Sequence, residues 1–192
     1  AGDAKALSDV TAQLNAALVR INELETENRR LRAELGFKES HLDTQFLSAN
    51  VIYFDPSNFV RTVTIDKGTS DGVRVGMVVV SPAGLVGRIT QTTASTSRVM
   101  LITDSRSSLY GVVQRSDTRA LGIVQGKLDD ALLFRWVPQS ETISPGDLVV
   151  TSGRGLNFPQ GLYIGKITNV RRNDVEMFQE ADIEPAVDSR QL

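Results

Sequence analysis

The stretch Gly84-Leu-Val-Gly-Arg-Ile-Thr90 returns later in the chain in a closely similar form, Gly161-Leu-Tyr-Ile-Gly-Lys-Ile-Thr168. An apolar run that starts at a turn glycine precedes each copy, Gly76-Met-Val-Val-Val-Ser81 before the first and Gly146-Asp-Leu-Val-Val-Thr-Ser152 before the second. The loop between the apolar run and the repeat is longer in the second copy. This internal repeat predicts two related β units of about 70 residues each.

The residues around the repeat support the same fold class. Apolar and polar residues alternate with a period of two from about residue 49 onward, for example at Val63 and Ile65 and at Leu132 and Phe134. Turn sequences such as Ser144-Pro-Gly-Asp147 separate the runs. About a dozen short strands without a second long helical pattern predict small β-barrels or sandwiches. We expect the repeat glycines to lie at turns or sharply curved strand positions; they are Gly84, Gly87, Gly161 and Gly165.

The first 35 residues repeat every seven residues instead, which predicts a coiled coil of about four heptads. The a column holds Leu7, Leu14, Ile21, Asn28 and Leu35, and the d column holds Val10, Ala17, Leu24 and Leu31. An asparagine alone at an a position is satisfied best by its twin across a two-fold axis. Asn28 therefore favours a parallel homodimer in one register.

Charged residues at the helix edges agree with a parallel pair. In that arrangement position g faces position e of the partner's next heptad, which places Arg20 opposite Glu25 of the partner helix and Glu27 opposite Arg32. The alternative is a single amphipathic helix that lies on a globular domain, and Leu18 at an e position widens the apolar stripe in that direction.

Composition excludes several classes of function. Apolar residues make up 41% of the 192 residues and charged residues 23%, and the formal net charge is −2, so no global basic field attracts nucleic acid. The chain has no cysteine, which excludes a disulfide scaffold and a thiol nucleophile. No apolar stretch approaches the length of a membrane-spanning helix. Because the chain begins inside a helical pattern, we expect a membrane anchor upstream of it.

Candidate catalytic residues are few. His41 is the sole histidine and lies in the linker after the coiled coil, a poor place to hold a general base between Ser152 and Asp104. One histidine and no cysteine leave only carboxylates as metal ligands, so we expect no metal and no cofactor. A small-barrel serine-protease-like hydrolase and a barrel that binds single-stranded nucleic acid remain the alternative functions.

Several motifs occur in an order that resembles the periplasmic part of the bacterial rod shape-determining protein MreC family. They include Val63-Thr-Ile-Asp-Lys-Gly68, Ser97-Arg-Val-Met-Leu-Ile-Thr-Asp104, Leu148-Val-Val-Thr-Ser-Gly153, Phe158-Pro-Gln-Gly161 and Pro185-Ala-Val-Asp188. The resemblance implies two six-stranded β-barrels after the helix, homodimers that associate further, and no enzymatic activity. It also implies one spanning helix upstream, in the inner (cytoplasmic) membrane, with the domain on its periplasmic or extracytoplasmic face. Relatives usually continue past Leu192 into one more apolar strand.

The resemblance also implies the partners and a division of the chain. The partners are penicillin-binding protein 2, MreD and, through the membrane complex, RodA, RodZ and the cytoskeletal MreB. The expected domains are the coiled-coil helix at residues 1–36, a first barrel at 37–115 and a second at 116–192, with strand exchange or insertion between the barrels allowed. The function it implies is a non-enzymatic periplasmic scaffold that organises peptidoglycan synthesis and rod cell shape.

The longer loop of the second repeat, residues 152–161, is the predicted docking site for the transpeptidase. Loops on a rigid scaffold tend to collect binding residues. Leu156 and Phe158 are apolar within it, and Arg154 adds charge beside them. The alternative is that Phe158 packs into its own barrel as a plug, since aromatic side chains are usually buried.

Overall fold

The computed structural model describes residues 2–34, 45–57, 59–115, 117–127, 129–155 and 158–192, with helix side chains described for residues 4–29. The chain divides into two compact units, Ala1–Leu47 and Ser48–Leu192. The predicted fold class is confirmed, because one N-terminal helix precedes a mainly β region. That region contains a closed six-stranded barrel and a second sheet.

The first unit contains helix α1, which spans Gly2–Glu34 and has 33 residues. No proline and no glycine follow Gly2 within it, and alanine, leucine, glutamate and arginine are common there, so intrinsic propensity favours the helix throughout. Two hydroxyl groups bond back to the helix carbonyls, Thr11 to Leu7 at 2.8 Å and Thr26 to Asn22 at 2.9 Å. The helix predicted from the seven-residue period is therefore present.

The second unit begins with an antiparallel sheet of five strands in the order β1-β2-β5-β4-β3. The strands are β1 (Val51–Phe54), β2 (Thr62–Ile65), β3 (Val78–Ser81), β4 (Gly84–Thr92) and β5 (Ser97–Leu101), with a 3-10 turn at Thr69–Asp71. Alternating residues on β5 are buried, which matches the two-residue period of the sequence. One face of this sheet therefore packs on a core and the other faces solvent.

A closed six-stranded barrel follows in the same unit, with the order β10-β11-β8-β7-β6-β9. Its strands are β6 (Ser108–Val113), β7 (Leu121–Gly126), β8 (Leu132–Pro138), β9 (Leu148–Thr151), β10 (Tyr163–Arg171) and β11 (Phe178–Pro185), and a 3-10 turn lies at Ser189–Gln191. Phe134, Leu132, Ile164 and Ile183 fill its interior and are at most 1% exposed. Closure leaves the barrel without strand edges.

The sheet and the barrel are built from the same repeat. In the sheet Val79 pairs with Gly87, and a bulge separates that pair from Val80 and Leu85. In the barrel Val149 pairs with Gly165, and a bulge separates that pair from Val150 and Tyr163. The next strand pairs also match, β4 with β5 and β10 with β11, including a bulge after an isoleucine in each. The predicted equivalence of the two repeats is confirmed at the level of hydrogen-bond register.

The close approach at the repeat glycines explains why neither position carries a side chain. A Cβ atom on Gly87 would lie 2.1 Å from the Met100 carbonyl oxygen, and one on Gly165 would lie 2.1 Å from the Glu184 carbonyl oxygen. The match of Gly84 with Gly161 is wrong. Gly84 pairs with Ser81, whose counterpart is Thr151, and Thr151 contacts Leu162, so the second copy contains one extra residue.

The strand count of the sheet differs from the expectation of two six-stranded barrels. The predicted boundary at residues 115/116 assigned the stretch 108–113 to the first barrel, but β6 pairs with β7 and β9 and closes the second one. Its Gly111 lies so close to Val124 and Val149 that a Cβ atom would contact both side chains. The sheet therefore keeps five strands among the described residues, with β1 and β3 at its edges.

The sheet and the barrel share side chains across their boundary. Leu85 from β4 and Ile102, which follows β5, pack in the barrel's core cluster. Val187, after the last barrel strand, packs against the sheet's core cluster around Val63, Val99 and Leu101. The boundary is therefore continuous packing, as expected for small units that need each other's surface.

Candidate docking surfaces

The apolar stripe of α1 is exposed in the single chain. Every described member of the predicted a and d columns is exposed, and the large ones are Leu7 at 69%, Val10 at 60%, Leu14 at 57%, Ile21 at 49% and Leu24 at 47%. Exposure of such a row to water is unfavourable, and its burial against another apolar surface lowers the free energy. The side chain of Leu31 and the whole of Leu35 lie outside the described residues.

The charged residues predicted to join two helices are available on the surface of α1. Arg20 contacts Glu23 within the same helix, with 3.2 Å between Nη1 and Oε2. That exposed pair three residues apart is weak and competes little with a partner helix. Glu25 and Glu27 are exposed, as is Asn28 at its a position. The side chain of Arg32 lies outside the described residues, so both cross-helix pairs stay predictions.

The long loop of the second repeat is anchored at its two ends. The Thr151 hydroxyl accepts a hydrogen bond from the Leu162 backbone N–H at 2.8 Å, and the Ser152 backbone N–H donates to the Tyr110 carbonyl at 3.0 Å. Gly153 and Gly155 have φ angles of +74° and +77°, which turn the chain outward at Arg154. The backbone of this loop is thus well positioned for recognition.

A small cavity of about 120 Å³ lies under that loop, with Tyr110, Ile123, Arg154 and Phe158 in its wall. Phe158 is half-buried and packs against the barrel core, so it belongs partly to the barrel and partly to this opening. Arg154 is exposed at the rim. Leu156, the third predicted docking residue, lies outside the described residues, and the docking role of all three stays a prediction.

The barrel also carries an exposed aromatic surface that the sequence did not predict. Trp136 on β8 is 54% exposed, and its ring meets the Phe178 ring edge to face with centroids 5.5 Å apart. The Arg135 guanidinium carbon lies 5.4 Å from the Trp136 ring centroid. In the sequence, Trp136 continues the two-residue alternation of Leu132 and Phe134 and would share their buried face. A bulge opposite Glu180 gives Trp136 a φ of +59° instead and turns its side chain outward.

The hairpin between β10 and β11 projects beside this aromatic pair. A turn closes at its tip, where the Glu176 N–H donates to the Asn173 carbonyl at 3.0 Å. Val175 is 90% exposed and Met177 80% exposed. The buried Gln179 holds the base of the hairpin by donating to the carbonyls of Pro138 and Glu141 at 3.0 and 2.6 Å. These exposed apolar side chains therefore stand on a firmly held backbone.

Two residues of the alternative hydrolase site have structural contacts instead. Asp104 is fully buried between the sheet and the barrel, where its carboxylate accepts hydrogen bonds from the Arg61 N–H at 2.8 Å and from Arg106 Nε at 2.9 Å. Burial opposes its charge, but the bonds from Arg106 and Arg61 outweigh burial and lower the pKa of Asp104. The Ser152 hydroxyl accepts from the Arg154 N–H at 3.1 Å. His41 lies outside the described residues.

The described residues contain no group of three or more histidine, cysteine, aspartate or glutamate side chains that would hold a metal ion. Within them, no helix combines the length and apolar character that a bilayer crossing requires.

These observations define the class of protein: a mainly β protein with an N-terminal helix, a closed six-stranded barrel, a second sheet built on the same repeat, and several exposed apolar surfaces. The chain belongs to the family of the rod shape-determining protein MreC, whose barrel-core model matches residues 51–192.

Individual relatives agree with the family. The chain is 36% identical over 176 residues to the cell shape-determining protein MreC of Listeria monocytogenes, a match that covers 90% of this chain and 59% of the relative. The solved MreC structure from Listeria monocytogenes is similar with a TM-score of 0.84 at 34% identity, over 95% of this chain and 88% of that one. The chain thus spans a little over half the length of this curated relative.

One more distant structure shares the fold. It is a complex between Penicillin-Binding Protein (PBP2) and MreC from Helicobacter pylori, which matches with a TM-score of 0.56 at 16% identity, over 70% of this chain and 83% of that one. At this identity the likeness concerns the fold alone.

Proposed function

We propose that the chain is a dimeric, non-enzymatic scaffold that organises peptidoglycan synthesis and rod cell shape during cell elongation. Its membership of the MreC family supports the role in cell shape. The observation that carries the proposal is the exposed apolar row on α1, whose members are 47–69% exposed in the single chain. A scaffold of this kind works by holding partners side by side, which requires surfaces rather than a reaction centre.

The dimer follows from the energetics of the row. Full burial of one leucine or isoleucine side chain contributes about 1.5–3 kcal/mol. Several half-exposed side chains in register therefore supply enough free energy to associate two helices, even after the cost of association. Asn28 reduces this gain but selects the parallel two-stranded register.

Sedimentation equilibrium of the full chain tests the dimer. We expect a dimer at tens of micromolar, a common range for modest protein association, and a monomer when Leu14→Lys places a charge in the apolar row. Asn15→Lys, at an exposed b position of the same helix, adds the same charge off the row and should leave the dimer intact. Asn28→Val should raise the melting temperature and broaden the distribution of oligomers. A monomeric unmodified chain would overturn the dimer.

The proposed partner of the barrel is the transpeptidase penicillin-binding protein 2. An MreC relative forms such a complex, and this chain offers an anchored loop with Arg154 and Phe158 at the rim of a cavity. A cavity of about 120 Å³ accepts roughly one apolar side chain of the partner. Leu156 would add apolar area to the same contact.

Binding and stability measured together show whether Phe158 docks on a partner or packs into its own barrel. We expect Arg154→Glu with Phe158→Ala to weaken binding to the extracytoplasmic part of penicillin-binding protein 2 at least tenfold, with only a modest fall in melting temperature because Phe158 is half-buried. Arg119→Glu, an exposed arginine elsewhere on the barrel, is the matched charge control. A large fall in melting temperature assigns Phe158 to the core. Unchanged affinity in the folded double variant removes this loop from the interface.

The wider assembly belongs to the same proposal. The chain is placed at the outer face of the cytoplasmic membrane through an upstream anchor, with MreD, RodA and RodZ as membrane partners and MreB reached through them. Co-purification of the anchored full-length protein from membranes, with and without the Leu14→Lys change, tests whether dimerisation is needed for this assembly. Recovery of the same partners by the monomeric variant would contradict that requirement.

A further inference from the structure

The two repeat copies place different charges at equivalent outward positions. On the sheet, Arg88 pairs with Met100, and Arg98 lies two residues from Met100 on the same face of β5. At the matching positions of the barrel, Lys166 pairs with Glu184, and Asp182 replaces the second arginine. The shared register makes this a comparison of like with like.

The barrel face neutralises its own charges. Asp182 accepts a hydrogen bond from Arg171 Nη1 at 2.6 Å and lies 3.6 Å from Lys127 Nζ. Lys166 lies opposite Glu184 in the register of the next strand, so charges of opposite sign are neighbours there, although no ion pair joins the two side chains within the described residues. The barrel face therefore carries charges of both signs, in contrast to the two like charges of the sheet.

The sheet face keeps its charge. Within the described residues the side chains of Arg88 and Arg98 make no ion pair and no hydrogen bond. Diagonal neighbours on adjacent antiparallel strands lie about 7–8 Å apart at Cα, so two like charges stand side by side with Met100 between them. This basic face, defined as Arg88, Arg98 and Met100, favours an acidic group that bridges the two guanidinium groups.

The hairpins that join the matching strands differ in the opposite sense. The β4–β5 turn is short and uncharged and closes with the Thr93 N–H donating to the Thr96 carbonyl at 2.8 Å. The β10–β11 hairpin is longer and ends in Asp174, Val175, Glu176 and Met177, all exposed. Neither carboxylate makes an ion pair within the described part of the chain. These residues form the acidic tip.

The acidic tip is built to present its charge. The neighbouring Arg172 does not neutralise it, because its guanidinium donates to the carbonyls of Gln139 and Glu141 at 3.1 and 3.3 Å and to the Gln179 side chain at 2.9 Å. The same bonds fix the hairpin against the barrel. Little conformational entropy is therefore lost when the tip binds.

We propose that the acidic tip of one molecule docks on the basic face of a second copy, with Val175 and Met177 packing against Met100. Tip and face alternate charge and apolar side chain in complementary order, which is the observation that selects a second copy as the occupant. The contact is heterologous, so it extends into rows instead of closing on itself unless the rotation happens to form a ring. It deepens the proposed scaffold role by naming how dimers associate further.

The single contact is small and weak, and the dimer compensates for this. A dimer made by α1 has two tips and two faces, so a second contact between neighbouring dimers forms at a raised effective concentration. Because exposed charges dominate the contact, the association should weaken as salt rises. Salt should leave the apolar helix interface largely unchanged.

Charge reversal with rescue tests the proposal in the full chain. Sedimentation velocity at low salt should show species larger than the dimer that grow with concentration. Asp174→Lys with Glu176→Lys, or Arg88→Glu with Arg98→Glu, should each weaken this growth roughly tenfold or more, as loss of close charge pairs does at other interfaces. The chain with all four changes should regain it, and an equimolar mixture of the two double variants should do the same.

A charge-matched variant serves as the control for this test. Arg74→Glu with Arg119→Glu makes the same change of net charge as the double arginine variant of the basic face, at exposed positions elsewhere, and should leave the growth intact. Circular dichroism and melting temperature verify that each variant is folded. Failure of the folded four-fold variant to regain association, or absence of species beyond the dimer in the parent, overturns the proposal. Binding of penicillin-binding protein 2 and the dimer itself are measured on the same samples, so their loss is distinguished from loss of this contact.

Discussion

The sheet and the barrel share five strands in the same order, and the pairs β2–β5, β4–β5 and β3–β4 keep the register of their barrel counterparts, yet one is closed and the other is open. Strands β1, β2, β5, β4 and β3 of the sheet match β7, β8, β11, β10 and β9 of the barrel. Only β6 has no counterpart among the described residues of the sheet. Closure is therefore a property of one added strand, and the repeat itself tolerates either state.

The same comparison shows that a repeated backbone does not impose a repeated surface. Within the described residues, the outward Arg88 and Arg98 of the sheet form no ion pair, whereas Asp182 at the equivalent position of the barrel is paired with Arg171. The inward positions stay apolar in both, with Val63 and Val99 in one and Leu132 and Ile183 in the other. Core packing restricts the inward side chains, whereas the outward ones are free to serve different partners.

The largest difference between the sheet and the barrel should appear in the free energy of unfolding lost when a core side chain is truncated. Phe134 on β8 and Ile65 on β2 occupy equivalent positions and are 0% and 7% exposed. We expect Phe134→Ala to cost about 3–5 kcal/mol of the free energy of unfolding. Ile65→Ala should cost about 2 kcal/mol, because an open sheet relaxes into the space more readily than a closed barrel. Urea unfolding monitored by circular dichroism measures both, and an equal or larger loss for Ile65→Ala would contradict the contrast.

The next largest difference between the open sheet and the closed barrel should appear when the two repeat glycines are replaced by alanine. The added Cβ would lie 2.1 Å from a carbonyl oxygen at both Gly165 and Gly87, so the backbone must move. We expect Gly165→Ala to cost about 3 kcal/mol in the closed barrel and Gly87→Ala about 1–2 kcal/mol in the sheet. Thermal and urea unfolding give the comparison. Gly72→Ala, at a turn glycine with open space around it and a φ of +88°, reports the backbone cost alone.

The junction between the sheet and the barrel should respond to pH. Asp104 is buried there, and its pKa lies below the ordinary value of 3.8. A lowered pKa stabilises the fold above that value, and this stability is lost as pH falls through the folded-state pKa. Asp104→Asn should therefore cost about 2 kcal/mol at pH 7, the range for charge-assisted hydrogen bonds, and progressively less below about pH 4. A pH-independent cost would show that packing, not charge, matters at this position.

The smallest expected difference concerns the surface charges. Hydrogen bonding by Arg171 lowers the pKa of Asp182 on the barrel, whereas the equivalent Arg98 on the sheet has no partner in the described structure. We expect Asp182→Asn to cost at most about 1 kcal/mol at pH 7 and less at pH 3, and Arg98→Gln to change stability hardly at all. Thermal unfolding in low and high salt checks both. A clear loss of stability for Arg98→Gln would reveal a contact of that side chain within the fold.

The helix with its apolar row, the β class and the internal repeat are all evident from the amino-acid order alone. These are local properties: the periods of seven and two appear in consecutive residues, and the repeat glycines mark places where backbone approaches backbone. The predicted partner residues Arg154 and Phe158 were likewise found from loop length alone, and the structure places them together at one cavity.

Which strands pair and which side chains face outward depends instead on long-range contacts that exist only in the folded chain. The assignment of β6 depends on pairing with β9, more than thirty residues away in the chain, and strand pairing across such a distance leaves no local signal. Trp136 keeps the alternation of a buried residue in the sequence, but a single bulge reverses its side. The complementary charges of the acidic tip and the basic face can be recognised only when the strand register aligns the two repeat copies. The residues concerned do not match each other in the sequence.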